Sequence, residues 1–183
     1  MSYTKLNVVD AKKFQKEFLK VYTYSENSDY VRIRKLEDLE KCKCLYKKGV
    51  GFVAVESDGN IVAILKDGSD NFIRTAVLNA MEYGGCKLDC IGDKLTDMYI
   101  QLGFIPVCKL RRCDMYLESD EVLQDKEGYF LMLWDNLSVE NIDFYYGCYS
   151  SLKEGYNNLP YVTSYEEGYK LRDKKINEFK ERG

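Results

Sequence analysis

Histidine is absent from this chain of 183 residues, and no other feature of the composition removes as much chemistry. Without an imidazole there is no Ser-His or Cys-His nucleophile, so hydrolases of the triad type are excluded. A zinc site would lack one of its usual ligands, and the seven cysteines do not supply a substitute. Cys42 and Cys44, Cys86 and Cys90, Cys108 and Cys113, with Cys148 alone, contain no Cys-x-x-Cys pair. We expect no metal, and reduced thiols that serve as small apolar groups. The chain also has no run of about 18 apolar residues, and its N-terminus lacks the charged, apolar and small-residue order of a signal peptide. The expectation is a cytoplasmic protein with no membrane partner. Nor is there an excess of charge: 27 basic against 30 acidic side chains leave -3, too little to draw the protein to phosphate backbones. Nucleic acid is a poor default partner.

What is present is a globular balance, 45% hydrophobic and 31% charged residues, enough to bury a core that offsets chain entropy. The length fits one ordinary domain with an appendage. Asp10 before Ala11, Phe14, Phe18, Val21 and Tyr22 predicts an N-capped first helix. Tyr30 to Arg34 alternates like a short strand, and Leu36, Leu39, Cys42 and Tyr46 carry the spacing of a second helix ending near Gly49. Gly51 to Glu56 and Ile61 to Lys66 are β-branched, apolar runs joined through Asp58-Gly59, which predicts a hairpin buried on both faces. Ile73, Ala76, Val77, Ala80 and Met81 then mark an amphipathic helix ended by Gly84-Gly85. Lys87 to Ile91 reads as a strand, and Asp93 as the cap of a helix with Leu95, Met98, Tyr99 and Leu102 on one face. Phe104 to Leu110 and Tyr129 to Trp134 read as further strands, with an acidic loop, Glu118 to Glu127, between them. The tail after Ser138 is rich in tyrosine and predicts two helices divided near Pro160. The fold class is therefore α/β of the α+β kind, a mixed, mainly antiparallel sheet with flanking helices, a helical N-terminal segment and a helical C-terminal tail.

Met98-Tyr99-Ile100-Gln101-Leu102-Gly103-Phe104, taken with Gly84-Gly85 and Lys87-Leu88-Asp89, resembles the GNAT superfamily of N-acetyltransferases, nearest to an acetyltransferase-like branch found in phages and other mobile elements. The resemblance covers about residues 51–110 and, more loosely, 129–134. It implies a GNAT-like domain over residues 1–136 with an extension over 137–183. It also implies acetyl-CoA as cofactor and an amine of a protein or small molecule as acceptor. In the family, a Tyr at the position of Tyr99 protonates the departing CoA thiolate, a reasonable task for a phenol. The cofactor would lie against Ile64, Leu65, Gly68, Ser69, Asn71, Phe72 and Arg74, its pyrophosphate on backbone amides at a helix N-terminus. Glu56 is the nearest candidate for the general base, with Glu82 and Asp89 as rivals.

Each residue also has a plainer use. Tyr99 fits the apolar stripe of its helix, and Asp70 fits the N-cap of the helix that follows it. The family loop normally has an Arg or Gln and two closely spaced glycines, whereas this chain offers Gly68 between Asp67 and Asp70. That departure motivates an alternative, a non-catalytic protein of this fold that binds and inhibits a host protein, such as a defence nuclease complex. The tyrosine-rich tail would then be the binding surface, or else its rings would dock the tail on the sheet. An apolar edge at the hairpin would allow a dimer.

Overall fold

The computed structural model describes residues 3–26, 28, 31–68, 71–111, 128–133 and 159–182. The chain divides into two compact units, Met1–Cys86 and Lys87–Gly183. The expected acidic loop, Trp134 and the first expected tail helix lie outside the described residues.

In the first unit, Asp10 caps helix α1 (Ala11–Tyr22) as expected, its Oδ1 accepting from the Lys13 amide at 2.8 Å. The buried stripe of α1, Phe14, Phe18 and Val21, packs on a four-stranded antiparallel sheet of order β1 (Asn7–Val9), β2 (Lys43–Lys47), β3 (Gly51–Val55) and β4 (Ile61–Lys66). Phe52 is the hub of that core, with ring centroids 5.5 Å from Phe14, 5.4 Å from Phe18 and 4.2 Å from Tyr46.

Two expectations are corrected here. The second helix is one turn, α2 (Leu36–Leu39), and Tyr46 lies in β2. Cys44, Leu45 and Tyr46 are buried in succession between two antiparallel neighbours, so pairing on both edges overrides a spacing that imitates a helix. Val31 to Arg34 is not a strand; it is irregular chain, anchored where Gln15 Nε2 donates to the Arg34 carbonyl at 3.1 Å. The hairpin stands as expected. The Gly59 amide bonds the Glu56 carbonyl at 3.0 Å, and its φ of +85° is the turn's requirement for glycine.

Helix α3 (Phe72–Met81) ends where the Gly84 and Gly85 amides bond the Met81 and Ala80 carbonyls, the paired bonds of a Schellman motif. Its buried Asn79 joins the N-terminal segment, accepting from the Leu6 amide at 2.8 Å and donating to the Thr4 carbonyl at 2.9 Å. No apolar periodicity marks that residue.

The second unit is built on a sheet of order β5 (Lys87–Ile91), β7 (Gly128–Leu133), β6 (Phe104–Leu110) and β8 (Tyr161–Val162). The first three strands are antiparallel, and β8 joins β6 in parallel, making the sheet mixed. The two-residue strand after Pro160 is an element that the sequence does not announce. Helix α4 (Asp93–Ile100) begins differently from the expectation: Gly92, with φ of +83°, holds the cap position, and Asp93 instead accepts from the Tyr129 hydroxyl at 2.7 Å. Its buried residues are Thr96, Tyr99 and Ile100, so the face is turned from the expected stripe, and Leu95 and Met98 are half-buried.

The expected tail helix is α5 (Tyr165–Arg182). Tyr165 and Tyr169 meet the Phe130 ring edge-on at 5.9 Å and 5.3 Å, so these tail rings dock the helix on its sheet.

Candidate functional site

The residues implied for cofactor and base fall in the first unit, apart from Asp89, while Tyr99 belongs to the second. The hairpin positions most of the former. Across it Phe52 pairs Leu65 and Ala54 pairs Val62, so Val53 alone faces both Ala63 and Ile64. This is a β-bulge, with Ala63 in the left-handed region at φ 54°. The bulge interrupts the ladder between β3 and β4, and among the described strands β4 is the edge of its sheet. The Leu65 side chain lies in the core, whereas Ala63 and Ile64 are half-buried.

Beyond β4 the chain turns into α3. The Asp67 Oδ2 accepts from the Gly49 amide at 2.9 Å. Gly68 is exposed. Asn71 holds the N-cap position of α3 with φ 54° and makes no side-chain capping bond. Phe72 packs its ring on the backbone at Gly51, where an added Cβ would come within 2.5 Å of it. Arg74 is half-buried on the first turn of α3. Ser69 and Asp70 lie outside the described residues.

Glu56 closes the other end of β4. Arg34 Nη1 donates to its Oε1 at 3.2 Å and Asn60 Nδ2 to its Oε2 at 2.8 Å. Each carboxylate oxygen keeps lone-pair capacity for one more donor. Its rival Glu82 accepts from Tyr3 and from Lys5. The other rival, Asp89, accepts from the Tyr169 hydroxyl at 3.4 Å. Neither Arg34 nor Asn60 is a partner that periodicity reveals, since Arg34 reaches Glu56 from an irregular segment.

In the second unit, Tyr99 is 5% exposed, and its ring meets Phe104 edge-on at 5.7 Å. Burial, reinforced by Cys90 and Asp89, drives its phenol well above the ordinary tyrosine range, so it stays protonated at neutral pH.

The described cysteines are all free thiols. Among the described residues no group of three or more Cys, Asp or Glu side chains could hold a metal ion, and no helix is long and apolar enough to cross a membrane. Burial pushes Cys42 up to about 11 and Cys44, Cys90 and Cys108 up to about 12. A raised thiol pKa means that the folded state holds its proton longer than the unfolded state does. The stabilisation is complete below pH 9 and is lost as pH rises toward 12. The melting temperature is therefore expected to be level from pH 7 to 8.5 and to fall between pH 9 and 11; a level profile through pH 11 would contradict it.

Compared with known proteins, the chain matches no family model, no curated protein and no solved structure.

Proposed function

We propose that this protein is an acetyl-CoA-dependent N-acyltransferase that acts on an amine of a protein or small molecule. The observation that carries the reading is the bulged edge strand β4 leading into the turn before α3. The pantetheine arm of CoA is an extended chain with two amides, and the backbone groups of a bulged edge can bond them as a neighbouring strand would. The left-handed backbone at Ala63 is the kind of local strain that collects at ligand sites. At the end of the strand, the α3 N-terminus offers the dipole and amides that suit a pyrophosphate, with Arg74 one turn on.

In the reaction, the amine nitrogen bonds the thioester carbonyl carbon and the carbon–sulfur bond breaks. The acceptor's proton passes to Glu56. The resemblance gives Tyr99 the task of protonating the leaving thiolate, after which the phenolate would recover its proton from water. Burial keeps the Tyr99 phenol protonated at neutral pH, the form that a donor needs, while making it a weaker acid than a free tyrosine.

The test is a thermal-shift titration with acetyl-CoA. At about 100 times the dissociation constant, binding stabilises a protein by about 2.7 kcal/mol. A rise in melting temperature that saturates is expected; no shift at millimolar acetyl-CoA would sink the reading.

One observation favours the second reading, a non-catalytic binder of a host protein. Tyr161 is 45% exposed, with Lys109 Nζ 4.7 Å and the Arg111 guanidinium 5.0 Å from its ring centre. An aromatic ring braced by two cations is a preformed anchor of the kind that dominates protein interfaces. A partner that is captured by the protein and lost with Tyr161→Ala, in the absence of any acetyl-CoA shift, would favour it.

A further inference from the structure

The hairpin end that holds Glu56 opens on a cavity of about 440 Å³, lined chiefly by Arg32, Arg34, Lys35, Lys41, Glu56 and Asp58. We infer that this cavity takes the acceptor, and that the acceptor is a zwitterion, an amine carrying its own carboxylate, as a free amino acid does. The inference rests on the acyltransferase reading above.

Charge is the first argument. Arg34 is committed to Glu56 at 3.2 Å, but Arg32, Lys35 and Lys41 make no ion pair among the described residues. A simple amine would meet these cations as an ammonium and be repelled. A simple anion would meet Glu56, Asp58 and the nearby Asp38. Only a ligand with both charges satisfies both sets, its ammonium toward the carboxylates and its carboxylate toward the cations.

A buried group supplies the second argument. Asn60 is 5% exposed and bonds Glu56 through Nδ2, while its Oδ1 is buried with no partner among the described residues. Asn60 lies behind the cavity lining, and its bond fixes the Glu56 carboxylate that faces the cavity.

Reach is the third. Between the turn at Asp67 and the hairpin end at Glu56 lies β4, whose six residues span about 20 Å at 3.3 Å each. A pantetheine arm laid along β4 from that turn carries its thioester toward Glu56.

The experiment uses the full chain without cofactor, titrated by NMR with L-alanine, alanine amide and N-acetylalanine. These probes carry both charges, the cation alone and the anion alone. L-Alanine is expected to bind at least about tenfold more tightly than either single-charge probe. Lys41→Gln, at an exposed position, should weaken L-alanine severalfold while leaving the melting temperature unchanged. Equal binding of all three probes, or no binding by any, would overturn the inference, even if acetyl-CoA binds and the acyltransferase reading stands. Selective alanine binding by a protein that ignores acetyl-CoA would overturn the acceptor role together with that reading.

Discussion

Tyr99→Phe is expected to lower the turnover of acetyl transfer by about 10²- to 10⁴-fold, the usual worth of a positioned proton donor. Acetyl-CoA affinity and the melting temperature should stay close to wild type. The substitution keeps the ring that packs edge-on against Phe104 at 5.7 Å and removes only the hydroxyl. Because burial raises the phenol pKa, the wild-type rate should show no loss of the acid through mildly alkaline pH. A Tyr99→Phe enzyme with full turnover would reduce Tyr99 to a core residue of α4.

Phe52→Ala should cost about 3–5 kcal/mol, the usual range for an aromatic ring removed from a core. Phe52 is fully buried, and its ring is shared by Phe14 and Phe18 of α1 and Tyr46 of β2. One truncation therefore leaves three aromatic partners facing a void, and the hairpin loses its attachment to α1. Leu19→Ala, on the exposed side of the same helix, should change stability by less than about 0.5 kcal/mol. Urea midpoints of the two variants check the contrast, and a stable Phe52→Ala protein would mean that the core is organised elsewhere.

The elements legible in the sequence are those whose signals are local. Lys87 to Ile91 and Phe104 to Leu110 are strands with the expected ends because glycines bracket β-rich runs on at least one side. Asp10 marks the start of α1 because an N-cap needs only its own first turn. Misreadings arise where distant partners decide. Leu36, Leu39, Cys42 and Tyr46 imitate a helix, and pairing with β1 and β3 makes a strand of the second half. The two-residue β8 exists through its parallel ladder to β6, which no local pattern encodes.

The candidate site divides along the same line. Glu56 at the hairpin end and the turn after Lys66 are readable from the Asp58-Gly59 signal and the strand lengths. The Ala63 bulge is not, because nothing in the apolar run Ile61 to Leu65 shows where the ladder slips. Arg34 and Asn60 as partners of Glu56, and Asp67 as the anchor of Gly49, are likewise products of folding. The Asp67 carboxylate stays charged beside the implied pyrophosphate site, with its Oδ2 held by the Gly49 amide of the β2–β3 connection.

The central claim, that the β4–α3 segment holds acetyl-CoA, is tested most directly by isothermal titration of the full chain with acetyl-CoA. The account predicts saturable binding of one molecule per chain, weakened at least about tenfold when Arg74 is replaced by Glu. Absence of saturable binding at millimolar acetyl-CoA, or binding indifferent to Arg74→Glu, would contradict it.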